Sequence, residues 1–237
     1  MTRLRRFALV VTLVFGGSLV MAAAGIAAVG GLTPGHYNYT NLSASAVVGV
    51  AKGGPPEKQG IAVYVNRGLN SFRPSDHKGP RTVTNSTMVQ LSVFDAVGST
   101  FGCFIVPQSN YNVSKDLQSA SLHTTLTVDN MCPGVGEPVT GKNAVVPPPG
   151  GAGLPLPITL DVHWTGLGVT STGLDRSSFK CLDYSTQLTS VSHDSVATAS
   201  GTVSGLSGPF ATDLASVDSN DSSIDIKGTP PQGCFGF

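Results

Sequence analysis

The sequence predicts an all-β protein, an antiparallel β-sandwich built from two related β halves. Three observations carry that prediction. Twenty-nine glycines and sixteen prolines in 237 residues, with abundant Ser, Thr and Val and almost no Glu/Lys/Leu-rich stretch, argue against helices. Apolar and polar residues alternate with period 2 in run after run, the signature of strands with one buried and one solvated face. The strand pattern on one side of a Pro/Gly-rich segment also has a parallel on the other side.

The chain opens with Arg3, Arg5 and Arg6, then runs without a charge from Phe7 to Val29, with small residues at Ala22, Ala23 and Ala24. This is the layout of a secretory signal peptide, expected over residues 1–24 and cleaved after Ala24. The apolar run is also long enough, at more than about 20 residues, to act as an uncleaved anchor. Phe7 follows Arg5 and Arg6 directly, so the pair reads as an ordinary basic leader rather than a twin-arginine signal. The first cysteine is Cys103, too far downstream for a lipid anchor. Residues 31–132 form the first β half, with alternation at Ile61, Val63 and Val65, at Val89, Leu91 and Val93, and at Leu122, Leu126 and Val128. Residues 133–157 contain PGVGEPVTG and VPPPGGAGLPLP, too rich in Pro and Gly for a strand, and form a linker or long loop. Residues 158–237 form the second half, with Ile158, Leu160, Val162 and Trp164 on one face, and Ile224 and Ile226 against Asp225 and Lys227. Trp164 is expected in the core.

The proposed repeat aligns VQLSVFD, FGCFIV and SASLHTTLTV with ITLDVHWTG, FKCLDY and SVATASGTVSG. All four cysteines, Cys103, Cys132, Cys181 and Cys234, lie in the exported part, and an even count in an oxidising compartment reads as two disulfides. Three pairings are open; if the halves are true repeats, Cys103 with Cys132 and Cys181 with Cys234 is the simplest. Sequons begin at Asn38, Asn41, Asn85, Asn112 and Asn220. The stretch LQSASLHTTLTVD, a variable loop, ITLDVHWTGLGVTS and SVATASGTVSG resembles a loose set of secreted bacterial β-rich proteins. That resemblance implies export and a β fold, and carries no established activity or site residue.

Basic and acidic residues number 14 each, and loss of the three leader arginines leaves about −3. Sparse charges without runs give no footprint for nucleic acid or an anionic membrane. No Cys-x-x-Cys is present and no His lies close to a cysteine, so zinc or redox chemistry at the thiols is not expected. The nucleophile elbow Gly-x-Ser-x-Gly is absent; residues 168–173 and 203–208 come near it but read as turns. His193, Asp194 and Ser195 are neighbours on a strand and point to alternate faces, which forbids a relay.

Two metal sites are weighed. Asp218, Asn220 and Asp221 offer oxygens in what reads as a polar turn, but without the glycine of a calcium loop. Pairing of the strand ending near Asp129 with the one starting at Ile158, Val128 facing Ile158, sets His123 directly across from His163 with Asp161 nearby. Two histidines alone leave zinc's four positions unfilled, so no metal and no cofactor is expected. The reading that results is a secreted or cell-surface, non-catalytic protein that binds a glycan, a cell-wall component or a protein partner. Its membrane contact would come only through an uncleaved N-terminal segment. Recognition is expected in the loops at Gly53 to Lys58, Asn70 to Pro80 and 133–157, with Tyr37, Tyr39, Tyr64 and Tyr111 as reserve sugar-stacking residues. The alternative is a secreted hydrolase with an aspartate-based site. An outer-membrane barrel is not expected, because the strands lack aromatic girdles.

Overall fold

The computed structural model describes residues 34–49, 60–74, 82–94, 99–132 and 154–228. The expected signal segment, the Gly53 to Lys58 loop, residues 133–153 and Cys234 lie outside them. The described chain is antiparallel β throughout, apart from two single-turn 3₁₀ segments. Its strands are β1 (Gly35–Gly49), β2 (Gly60–Pro74), β3 (Thr82–Phe94), β4 (Ser99–Val106), β5 (Tyr111–Val113), β6 (Ser119–Leu126), β7 (Ile158–Cys181), β8 (Tyr184–Val203) and β9 (Ser207–Lys227). They form one hydrogen-bonded sheet in the order β4-β3-β2-β1-β9-β8-β7-β6-β5. Two meanders, β1 to β4 and β5 to β9, join where β1 pairs with β9. The strands that flank residues 133–157 pair with each other, Leu126 opposite Ile158. The turn between the two meanders falls instead at residues 107–110.

The sheet rolls on itself, and side chains measure the roll. In a flat sheet β1 and β7 would lie about 14 Å apart, and β2 and β5 about 29 Å. Yet Trp164 Nε1 on β7 donates to the Ser45 carbonyl of β1 at 2.7 Å. Arg67 Nη1 on β2 likewise reaches the Tyr111 carbonyl of β5 at 3.3 Å. The edge strand β4 meets the segment after β6, where Phe104 bridges Met131 and Cys132 N donates to the Cys103 carbonyl at 2.9 Å. Cys103 and Cys132 are disulfide-bonded, as the repeat reading favours. Closing a loop of 29 residues contributes about 3–4 kcal/mol by the chain-entropy relation. Cys181 is disulfide-bonded as well.

The alternating residues named from the sequence fill the rolled interior. Val63, Val65, Leu91, Phe104, Leu122, Leu160, Val162 and Trp164 belong to one buried cluster that takes residues from both meanders. Leu154 joins it, so the end of the 133–157 segment lies against the core. Beyond this core β7, β8, β9, β1 and β2 run on together. β7 is 24 residues long, against about 5–6 for an ordinary strand, and nearly everything from Leu167 to Lys180 is exposed. The change from core to extension is marked by a bulge between Gly166 and Thr170. Gln118 fastens it: its carbonyl accepts from Gly166 N and its Oε1 from Gly168 N, at 2.9 and 3.0 Å. The 168–173 stretch expected as a turn is therefore part of a bulged strand, whereas 204–206 is a turn as expected.

Candidate binding site

On the extension β1 lies between β2 and β9, and the register sets Arg73, His36 and Asp225 in one row, and Ser71, Asn38 and Ser223 in the next but one. Because side chains alternate with period 2, these six share a face. His36, Asn38, Ser71 and Arg73 line an open pocket of about 230 Å³. His36 Nδ1 lies 2.7 Å from Asp225 Oδ1, and its Nε2 lies 3.0 Å from Asn38 Oδ1. Both histidine and aspartate are about half exposed, whereas Ser71 is buried at 6%.

The three residue types of a serine relay, Ser71, His36 and Asp225, converge here, but they are not connected as a relay. A relay requires the histidine nitrogen remote from the aspartate to meet the hydroxyl. That nitrogen is occupied by Asn38, and Ser71 stands opposite Asn38 rather than His36. What the pocket offers a ligand is the Arg73 guanidinium, the Asn38 amide and the Ser71 hydroxyl on adjacent strands, around an imidazole whose two nitrogens already meet Asp225 and Asn38. Such a donor-rich set matches a carboxylate flanked by hydroxyls. At about 230 Å³ the pocket is below the ~300–1,000 Å³ of typical small-molecule sites, and suits one sugar-sized group. Sequence reasoning missed this site because His36 and Asp225 are 189 residues apart. The one sequence signal was the placement of Asn70 to Pro80 as a recognition loop, and its first residues, Asn70–Pro74, are the end of β2.

The structure settles other expectations. Trp164 is core, 1% exposed. Tyr111 is fully buried, which removes it as a sugar-stacking residue, and Tyr37 stacks on Phe72 with ring centroids 4.5 Å apart. Asp218, Asn220 and Asp221 lie in the middle of β9 and not in a turn, so the calcium-turn reading is corrected. There Asp218 stands directly opposite Asp194 of β8. Burial pushes the Asp218 carboxyl up to about 7; the Ser216 hydroxyl bonded to it opposes this, and the facing Asp194 adds to it. β6 and β7 pair as expected, but two residues out of the expected register. His123 faces Asp161, and His163 faces Ser121.

Compared with known protein families and with curated proteins, the chain matches none. Among solved structures it is similar to a protein provisionally assigned as AttH from Nitrosomonas europaea, at 9% identity and TM-score 0.34 over 85% of this chain. This chain spans about half, 53%, of that one. It is also similar to the enduracididine biosynthesis enzyme MppR complexed with pyruvate, at 9% identity and TM-score 0.27, covering 81% of this chain and 89% of that one.

Proposed function

We propose that this is a secreted or cell-surface, non-catalytic β protein that binds a carboxylate-bearing glycan or cell-wall component through the His36/Arg73 pocket. Export rests on the leader-like N-terminus and on the cysteines, which favour an oxidising compartment. The observation that carries the binding role is the convergence of His36, Asn38, Ser71 and Arg73 in one open pocket. The remote nitrogen of His36 is held by Asn38 rather than presented to a nucleophile. Calorimetric titration with uronic-acid oligosaccharides and their neutral counterparts tests it. The acidic ligands bind, Arg73→Ala and His36→Ala each weaken binding at least about tenfold, and added salt weakens it too. Equal affinity for neutral ligands, or undiminished binding by both variants, contradicts the proposal.

A second reading, a secreted hydrolase with an aspartate-based site, is favoured by one observation. Asp194 is exposed and Asp218 half-buried on directly opposed positions of β8 and β9. Opposed Cβ atoms lie about 5 Å apart, near the separation of the two carboxyls in retaining glycosidases. On this reading the more buried carboxyl serves as the acid and the exposed one as the nucleophile. Release of reducing ends from acidic polysaccharides, abolished in both Asp194→Asn and Asp218→Asn, is its expected result. Absence of any release, or release unchanged in those variants, removes it.

A further inference from the structure

We propose that the His36/Arg73 pocket is one end of a cationic strip across the sheet, and that the strip binds an extended acidic polysaccharide, one sugar in the pocket and the following ones along the strip. The inference rests on the binding role proposed for the pocket and extends it to the length and charge of the ligand. Register places the strip. Through Gly35–Ala46 of β1 and the matching stretches of β2, β9, β8 and β7 the pairing runs without a shift, so each cross-strand row keeps to one face. The row of the pocket reads Arg73, His36, Asp225, Gln187 and Ser178 from β2 to β7. Lys227, Ser185 and Lys180 form the next row outward on that face, and Arg176 closes the row that begins with Ser71 and Asn38.

Arg73, Lys227, Lys180 and Arg176 thus share the face of the pocket. All four are exposed, and none makes an ion pair with an acid of the described residues. With strands about 4.8 Å apart, β7 lies four steps or about 19 Å from β2, and Lys227 on β9 stands midway. The acid in these rows, Asp225, is held 2.7 Å from His36 Nδ1. Asp221 lies one row deeper and accepts from the Thr40 hydroxyl. The opposite face of the same strands is apolar at this level, where Phe72, Tyr37, Ile224 and Leu188 make one row and Ile226 the next. Cations are therefore gathered on the pocket face, although they come from three strands and form no run in the sequence. Between them stand hydroxyls and amides, Ser223, Gln187, Thr189 and Ser185, which suit sugar hydroxyls. These three rows hold no apolar side chain for a membrane to take up, and four cations over about 19 Å are sparse beside duplex DNA, with about one charge per 1.7 Å. A polymer carrying spaced carboxylates gains affinity from contacts linked along the strip.

Calorimetric titration of the full-length chain with digalacturonate and with a long oligogalacturonate tests the strip. The long oligomer is expected to bind at least about tenfold more tightly than the dimer. The combined replacement Arg176→Gln, Lys180→Gln and Lys227→Gln removes three exposed charge contacts, and should weaken the long oligomer about tenfold while the dimer binds as before. Its melting temperature should stay within about 2 °C of the parent, as for exposed substitutions generally. Equal affinity for the two lengths, or a triple variant that binds the long oligomer as the parent does, overturns the strip. If Arg73→Ala and His36→Ala still weaken the dimer, the pocket stands without it. A triple variant that weakens the long oligomer while both pocket variants leave the dimer untouched removes the pocket instead, and no binding of either length removes both. Duplex DNA or phosphatidylserine vesicles bound as tightly as the long oligomer, and released by the same triple variant, would overturn the assignment to a polysaccharide.

Discussion

Gly201 shows how far a single missing side chain governs this sheet. Its φ is +152°, outside the range that L side chains favour, and a Cβ built there would collide with the Asp161 carbonyl of β7. Only glycine lets β8 approach β7 at this point. Gly201→Ala is expected to cost about 3 kcal/mol or more. A melting temperature within about 2 °C of the parent would contradict that. The same scale explains what sequence could and could not announce. Trp164 was legible as core because its strand alternates cleanly and it is the apolar residue in line. His36 was not legible as a site residue, since its partners Asp225 and Arg73 come from two other strands. Tyr111 passed for a surface aromatic because nothing local in its sequence tells that Arg67 and the rolled sheet cover it.

Among the elements, β6 and β7 carry the clearest lesson. Extending the alternation Leu122, Leu126 to Val128 places Val128 opposite Ile158 and moves the register by two. In fact β6 ends at Leu126, a capped single turn follows at Val128–Asn130, and Val128 is 68% exposed. Periodicity finds a strand but not its last residue, and a hairpin with a long connection has no tight turn to fix its register. The far half of β7 was unreadable as strand for another reason. From Leu167 to Lys180 both faces meet solvent, so apolar alternation is absent. Cross-strand polar pairs hold the neighbouring extension strands, among them Thr40 with Asp221 at 2.7 Å and Ser190 with Asn220 at 3.0 Å. The β8 and β9 pair adds a pH dependence. The folded-state pKa of Asp218, about 7, stands above its ordinary value of 3.8. Stability linked to it is therefore fully present below about pH 4 and lost as pH rises through about 7. The loss is about 2–3 kcal/mol after allowance for its partial exposure. Denaturant unfolding of the parent and of Asp218→Asn at pH 5 and pH 8 checks this. The parent should lose stability between the two and the variant should not; parallel behaviour contradicts the assignment.

At the scale of the whole sheet, the nine strands of the described residues form two regions. Where it rolls, alternating Val, Leu, Ile and Ala residues meet across the interior and the Cys103 to Cys132 bond ties its edge strand β4 to the segment after β6. Where it runs on, one face packs a second small cluster of Tyr184, Ile224 and Ile226 with Tyr37 and Leu188 against it, and the other face presents the open pocket of His36, Asn38, Ser71 and Arg73. The all-β class was legible because helix formers are scarce and the core strands alternate. The roll was not, because no local pattern states which strands come face to face. On the proposed reading the extended sheet presents the pocket to a ligand, and the His36 ring is the most direct reporter of binding there. In an NMR titration with galacturonic acid oligomers, His36 is expected to shift to saturation while His123, His163 and His193 remain unmoved. Binding that leaves His36 unmoved, or no binding at millimolar oligomer, would contradict the account.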